Sequence, residues 1–248
     1  MAEGGAGVLD HITIRVSDRE AAERFYDTVL RTIGVERSGR DEEYTVWKGQ
    51  FSLATSDNDH PVTSNLHIGF GAASRELVDS FWRTGTEGGY RDDGAPGPRP
   101  EYGDDYYGGF LLDPDGNSAE AVHHETAARR VIDHLWIGVD DVAAARTFYE
   151  LAAPFTGFSL RRVLDERVHF GGANASFGLI DRTPTENLHV AFETHDDATV
   201  DAFHRQLTAA GYRDNGAPGE RRYHPGYYGA FVLDPDGNNV EVVNHNAG

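Results

Sequence analysis

The chain has 248 residues, of which 39% are hydrophobic and 11% aromatic, enough for two average globular domains with packed cores. Its net charge of −19 excludes nucleic acid and an anionic membrane surface as expected partners. It has no cysteine, which excludes disulfides and thiolate metal ligands and is typical of a cytoplasmic protein.

The beginning of the chain carries no signal for export. Residues 1–7 are small and lack a basic stretch or an apolar core, unlike a signal peptide. No window approaches the roughly 18 consecutive apolar residues that a membrane helix needs. We therefore expect a cytoplasmic protein without a membrane segment.

The first predicted elements are a strand and a helix. In residues 11–16 the isoleucines alternate with polar residues, so one face of the strand points to the core. Ser17 followed by Glu20 predicts a capping box. Apolar residues then recur at helical spacing through positions 21, 25, 29 and 33.

The elements that follow are short strands and a second helix. Residues 44–48 and 51–55 are rich in β-forming residues, and Leu77, Val78 and Phe81 fit a helix face. The segment Asp-Pro-Asp-Gly-Asn at 113–117 is strong turn chemistry and predicts a hairpin. This order corresponds to two βαβββ units.

The whole pattern then occurs a second time. Leu9-Asp10-His11-Ile12 matches 132–135, the Asn-Leu-His of 65–67 matches 187–189, and the stretch 106–117 matches 227–238. Internal repeats of this kind indicate duplicated structural units. We predict two tandem domains, 8–125 and 131–246, with an α+β fold in which helices cover one face of a largely antiparallel sheet.

Each copy carries two histidines and a glutamate on the strand face that points away from the core. The spacings between them agree between the copies to within one residue. Two neutral imidazoles and one carboxylate form a facial metal-ligand set that leaves coordination positions open. The alternative is that they are surface or hydrogen-bonded residues, repeated only because a gene was duplicated. The candidate ligands are His11, His67 and Glu120 in the first copy and His134, His189 and Glu241 in the second.

Three further histidines are candidate acid–base groups. His124 and His245 lie four residues after the glutamates and so face the same side of their strands. His224 occurs only in the second copy, where Gly103 is its counterpart in the first. An exposed histidine at a strand end is the competing interpretation. The chain has no Gly-x-Ser-x-Gly motif and no cysteine, so covalent acyl transfer is not expected.

These motifs together resemble the vicinal oxygen chelate superfamily, which includes glyoxalases, bleomycin-resistance proteins and extradiol dioxygenases. The resemblance rests on Leu-Asp-His, Phe-Tyr, Asn-Leu-His and Tyr-Tyr-x-x-Phe-x-x-Asp-Pro-Asp-Gly-Asn-x-x-Glu, and it covers both copies. It implies paired βαβββ modules that form a half-open, glyoxalase-like barrel with the metal on its concave face. It also implies that the triads are His11, His67 and Glu120, and His134, His189 and Glu241.

Two departures from the resemblance narrow the expected activity. Glyoxalase I has a fourth ligand, a glutamate, but residues 50–54 and 176–180 contain no acid. Extradiol dioxygenases have a tyrosine three residues before the Asp-Pro turn, where this chain has Phe110 and Phe231. Glyoxalase I activity is therefore not expected, and classical ring cleavage is an open alternative that the sequence does not favour.

The sequence thus supports two functional hypotheses. The first is a metal-dependent enzyme of dioxygenase, isomerase, epimerase or lyase type. It would act on a small vicinally oxygenated molecule, with Fe2+ or Mn2+ preferred to Zn2+ or Ni2+. The second is a non-catalytic binder of a small molecule or antibiotic, as in bleomycin resistance. In either case the partner is a small molecule, and the protein is expected to be a monomer or a homodimer.

Overall fold

The fold is described by a computed structural model of residues 8–127, 130–164 and 166–246. Residues 1–7, where no signal peptide is predicted, and residues 128 and 129 of the predicted linker lie outside this range. The described residues form 16 strands and four α-helices, arranged as βαβββ four times. The predicted order of elements is confirmed.

The first two βαβββ modules occupy the first repeat. Their elements are β1 (Val8–Val16), α1 (Arg19–Leu30), β2 (Arg37–Arg40), β3 (Tyr44–Trp47), β4 (Phe51–Thr55), β5 (Leu66–Gly71), α2 (Arg75–Glu87), β6 (Arg91–Pro98), β7 (Tyr107–Leu112) and β8 (Ser118–His123). A single 3₁₀ turn, Arg31–Ile33, follows α1.

The second repeat has the same order. Its elements are β9 (Ile132–Val139), α3 (Val142–Thr156), β10 (Ser159–Leu164), β11 (Arg167–Gly171), β12 (Ser176–Asp181), β13 (His189–Glu193), α4 (Asp197–Ala209), β14 (Asp214–Glu220), β15 (Tyr228–Leu233) and β16 (Asn239–Asn244). None of the helices in the described residues is long and apolar enough to span a membrane.

The strands form two eight-stranded mixed sheets. Their orders are β14-β15-β16-β13-β1-β4-β3-β2 and β10-β11-β12-β9-β5-β8-β7-β6. Strand β5 runs parallel to β8 and β13 runs parallel to β16, while the hairpins are antiparallel. The predicted α+β class is therefore confirmed, with two tandem glyoxalase-like domains.

The chain divides into two compact units that are out of phase with the repeats. One unit is Thr13–Trp136, and the other comprises the described residues of Met1–Ile12 and Ile137–Gly248. Their boundaries fall inside β1 and β9. The first residues of β1 therefore belong with the second repeat, and the first residues of β9 belong with the first.

The start of α1 differs from the prediction. Asp18, not Ser17, caps the helix, because its side chain accepts a hydrogen bond from the Ala21 backbone N–H. Ser17 is already engaged, since its backbone N–H and hydroxyl both donate to Asp115. The capping-box prediction is wrong because Ser17 is hydrogen-bonded to the Asp115 carboxylate and does not cap the helix.

The predicted Asp-Pro-Asp-Gly-Asn hairpins are present and are anchored to the helices. Asp113 accepts hydrogen bonds from the Asn117 N–H at 2.8 Å and from the Tyr26 hydroxyl at 3.0 Å. Asp234 is bound in the same way by Tyr149, at 3.1 Å. Because the turn ends where β8 or β16 begins, this anchor fixes the strand that carries the glutamate.

Candidate metal centres

The six predicted ligands come together in two groups, but not in the predicted triads. His67 and Glu120 meet His134, and we call this group the His134 centre. His11 meets His189 and Glu241, and we call this group the His11 centre. The predicted grouping is wrong because β1 lies beside β13 and β9 beside β5, which exchanges the first histidine of each copy.

Parallel strand pairing places the histidine and glutamate of each copy side by side. In β5 and β8, His67 is paired with Ser118 and Gly69 with Glu120. In β13 and β16, the equivalent pairs are His189 with Asn239 and Ala191 with Glu241. Alternation along the strands then directs the histidine and the glutamate to the same face of the sheet.

The donor atoms of the His134 centre are nearly equidistant. Glu120 Oε2 lies 3.0 Å from His67 Nε2 and 3.2 Å from His134 Nε2. The two Nε2 atoms are 3.2 Å apart. Glu120 and His134 are buried and His67 is partly exposed, so three polar atoms converge on one point at the edge of the buried region.

The His11 centre is similar but more open on one side. His189 Nε2 lies 3.1 Å from both Glu241 Oε2 and His11 Nε2. The third distance, from His11 Nε2 to Glu241 Oε2, is 3.9 Å. The two centres are thus chemically identical but not equal in size.

These separations fit a divalent ion. Donors bound at about 2.1 Å and at right angles to one another are about 3 Å apart. A set of two imidazoles and one carboxylate suits several divalent metals. Among the described residues neither group has a fourth member, in agreement with the missing glutamate of glyoxalase I.

Hydrogen bonds on the far side of each imidazole aim its Nε2 at the centre. Asp10 lies 2.6 Å from His11 Nδ1, and Asp133 lies 3.0 Å from His134 Nδ1. Ser118 Oγ is 3.1 Å from His67 Nδ1 and itself donates to Asp93. Such outer contacts fix the ring orientation and the tautomer of metal-binding histidines.

The fourth imidazole and both glutamates are held in comparable ways. The Asn239 amide lies 2.9 Å from His189 Nδ1. Tyr106 donates its hydroxyl proton to Glu120 Oε1 at 2.9 Å, and Tyr227 donates to Glu241 Oε1 at 2.8 Å. One carboxylate oxygen is thereby engaged, while Oε2 faces the imidazoles.

The sequence did not reveal these supporting residues. The aspartates are present in the repeated Asp-His pair and the tyrosines in the repeated Tyr-Tyr pair, but neither pair carried an assigned role in the sequence analysis. Burial and the charge of Glu120 raise the pKa of Tyr106 far above its ordinary range, so its hydroxyl remains a proton donor. The same causes, with Glu241, raise the pKa of Tyr227.

Electrostatics within the His134 centre favour a protonated imidazole beside a charged carboxylate. Burial alone would lower the pKa of His134, but hydrogen bonds to Asp133 and Glu120 outweigh it and raise the pKa to about 10. Burial alone would raise the pKa of Glu120, but hydrogen bonds from His134 and His67 lower it to about 2. A divalent ion would take the place of the shared proton.

The three candidate acid–base histidines lie behind the centres. His124 Nε2 is 3.0 Å from Asp133, and His245 Nε2 is 2.7 Å from Asp10. His224 Nε2 is in turn 2.9 Å from His245 Nδ1. His124 and His245 therefore reach the ligand histidines through an aspartate, and their acid–base role remains a prediction.

An aromatic and cationic wall adjoins each centre. The Phe110 ring lies 5.9 Å from the His67 ring, and the Arg99 guanidinium lies over the Phe110 ring at 5.3 Å. Phe231 and Arg221 repeat this arrangement beside His189, at 6.1 Å and 5.1 Å. The position of the dioxygenase tyrosine is thus an apolar ring.

Comparison with known proteins gives the same fold. A sequence model described as Glyoxalase/Bleomycin resistance protein/Dioxygenase superfamily matches residues 8–121 and 131–242. No curated protein sequence matches the chain.

Solved structures are similar over nearly the whole chain. A glyoxalase I variant from Zea mays has a TM-score of 0.70 and 20% identity, covering 97% of this chain and 93% of the other. A putative dioxygenase from Bacillus subtilis has a TM-score of 0.67 and 13% identity, covering 99% of this chain and 87% of the other. At these identities the likeness extends to the fold alone.

Proposed function

Because the chain belongs to the Glyoxalase/Bleomycin resistance protein/Dioxygenase superfamily, we propose that it is a metal-dependent enzyme. It would act on a small molecule with two neighbouring oxygens, in a reaction of dioxygenase, isomerase, epimerase or lyase type. The single observation that carries the proposal is the convergence of two Nε2 atoms and one carboxylate oxygen in each of two centres.

The donor set suits an oxygen-binding substrate. Two neutral imidazoles and one carboxylate contribute a charge of −1, so a divalent ion retains net positive charge. When bound, such an ion polarises substrate oxygens and stabilises negative charge that develops on them. Three protein donors leave further coordination positions for substrate, and this donor set suits Fe2+ or Mn2+ as well as Zn2+ or Ni2+. We propose Fe2+ or Mn2+ first.

The protein side chains would orient the reacting groups. Asp10 and Asp133 keep the imidazoles in the tautomer that presents Nε2, and Tyr106 and Tyr227 hold the glutamates. The phenylalanine rings supply an apolar wall that limits water at the centre. We propose that His124, His245 and His224 carry protons between the aspartates and solvent.

Metal content and turnover test the proposal together. Protein purified without a metal-binding tag is analysed for bound metals and then loaded with Fe2+ or Mn2+ under anaerobic conditions. Turnover is assayed in air-saturated buffer, because ring cleavage consumes O2. The substrates are catechols for ring cleavage and vicinal hydroxycarbonyl compounds for isomerisation, epimerisation or elimination. We expect bound metal and metal-dependent turnover in the wild type.

The matched control removes one donor oxygen from each centre. The double variant Glu120→Gln, Glu241→Gln keeps the size of both side chains, so we expect it to fold but to lose metal and turnover. A wild-type protein that takes up no metal after loading, and that binds a small molecule no more tightly than the double variant does, would contradict the enzyme and favour the non-catalytic binder.

A further inference from the structure

The two centres differ in one of their three distances between donor atoms. The distance between the first histidine Nε2 and the glutamate Oε2 is 3.2 Å in the His134 centre and 3.9 Å in the His11 centre. The corresponding histidine side chains are 9% and 20% exposed. The other two distances in the centres agree to within about 0.1 Å. The difference is therefore confined to the placement of one ring.

The His134 ring lies directly against the backbone of β5. A Cβ atom built on Gly69 would be 2.3 Å from His134 Cε1 and 2.4 Å from its Nδ1. Non-bonded carbon atoms stay about 3.5–4.0 Å apart at their optimum. The ring can occupy this place only because residue 69 has no side chain.

The second copy has a methyl group at the equivalent position. Ala191 is paired with Glu241 as Gly69 is paired with Glu120, and it is fully buried. An imidazole placed like that of His134 would overlap this methyl group. The His11 ring must therefore lie further out, which accounts for its greater exposure and its longer distance to the glutamate.

We propose that the His134 centre binds divalent ions more tightly than the His11 centre, and that Gly69 and Ala191 set this difference. This inference rests on the proposed metal-binding function. The tighter centre has all three donors at the separation that one ion requires, whereas the looser one must first move His11 against Ala191. When less metal than protein is present, each metal-bound chain would carry one ion, at the His134 centre.

Variants that leave one centre intact make the comparison direct. Glu241→Gln leaves the His134 centre, and Glu120→Gln leaves the His11 centre. Isothermal titration with Mn2+ alone, supported by the electron paramagnetic resonance signal of free Mn2+, gives each affinity. We expect the Glu241→Gln protein to bind Mn2+ at least about tenfold more tightly than the Glu120→Gln protein does. Changes in the residues that orient metal ligands typically have effects of this size.

Reciprocal substitutions then test the cause. In the Glu241→Gln protein, Gly69→Ala is expected to weaken Mn2+ binding by about tenfold or more. In the Glu120→Gln protein, Ala191→Gly is expected to strengthen it. Gly69 has no positive φ, so alanine tests the space and not the backbone. Gly39→Ala is the control, because a methyl group there would meet nothing within 4 Å.

The outcomes separate this inference from the proposed function. Two centres of equal affinity, or affinities that do not respond to the Gly69 and Ala191 exchanges in proteins with unchanged thermal unfolding, would overturn the inference. If Gly69→Ala prevents folding, the Ala191→Gly result alone decides it. Absence of Mn2+ binding in the wild type would instead overturn metal binding itself.

Discussion

Metal binding at the His134 centre is expected to release about one proton per ion at neutral pH. Without an ion, the hydrogen bonds of Asp133 and Glu120 hold the pKa of His134 at about 10, while the pKa of Glu120 is about 2. Between these values a proton stays on the imidazoles beside a charged carboxylate. An ion can bind Nε2 only after this proton leaves.

The size of the effect follows from the pKa of His134. A pH of 7 is about three units below the His134 pKa of about 10, so deprotonation of this imidazole at pH 7 costs about 4 kcal/mol. Each unit of pH removes about 1.4 kcal/mol of this cost. The apparent affinity for the ion is therefore expected to rise about tenfold per unit from about pH 6 to about pH 9.

The folding stability of the metal-free protein changes with pH in the opposite direction to the metal affinity. The folded-state pKa of His134 is raised, so this group stabilises the metal-free protein fully below its ordinary pKa of 6.5. That contribution is lost as the pH rises through about 10. Metal-free protein is thus expected to lose stability at alkaline pH, while the affinity for metal increases.

Titration in buffers of different ionisation enthalpy measures the released protons. Mn2+ is added to the Glu241→Gln protein at fixed pH, and the slope of the observed enthalpy against buffer ionisation enthalpy gives the proton count. Asp133→Asn removes a charge that raises the pKa of His134, so we expect a smaller release at pH 8. Saturable binding without proton release between about pH 6 and 8 would refute the reasoning.

Three further predictions concern side chains around the glutamate and the turn. Gly108→Ala is expected to abolish Mn2+ binding at the His134 centre in native mass spectrometry, because its Cβ would lie 2.2 Å from Glu120 Oε1. Tyr106→Phe removes the hydroxyl that holds Glu120, and equilibrium dialysis is expected to show Mn2+ affinity reduced about 10- to 100-fold. Tyr26→Phe deprives the buried Asp113 of a donor and is expected to lower the free energy of unfolding in urea by about 1–3 kcal/mol.

Each of these changes has a matched control. Gly39→Ala adds a methyl group in open space and is expected to leave Mn2+ binding unchanged. Tyr227→Phe alters the equivalent contact in the other centre and is expected to spare the His134 centre. Tyr90→Phe keeps a ring that packs on Phe25, and a loss of stability as large as that of Tyr26→Phe would contradict the role of the Asp113 contact.

Most of the fold could be predicted because its determinants are local. Alternation in β1 and the apolar spacing in α1 gave the elements, and the turn chemistry at 113–117 gave the hairpin. The Ser17 cap was predicted wrongly because Asp115, distant in sequence, binds that residue. Local patterns do not report such contacts.

The six residues that converge in the two centres could be predicted, but their grouping could not. Spacing and strand facing single out the same six residues whichever way β1 and β9 are placed. Two copies with the same ligand motifs and the same order of elements offer each first histidine two equivalent partners, and only strand pairing decides between them. The supporting role of Asp10, Asp133 and the tyrosines was missed for the same reason, because it depends on which ring lies beside which carboxylate.

The pairing of β1 with β13 and of β9 with β5 has a consequence for how the two centres are encoded. Neither half of the coding sequence specifies a whole centre, because each supplies one histidine to the ligands encoded by the other. Loss of either copy would break both centres at once. Replacement of His11 or His134 alters the centre that contains the other copy's glutamate. We therefore expect substitutions in one half to be constrained by the sequence of the other half.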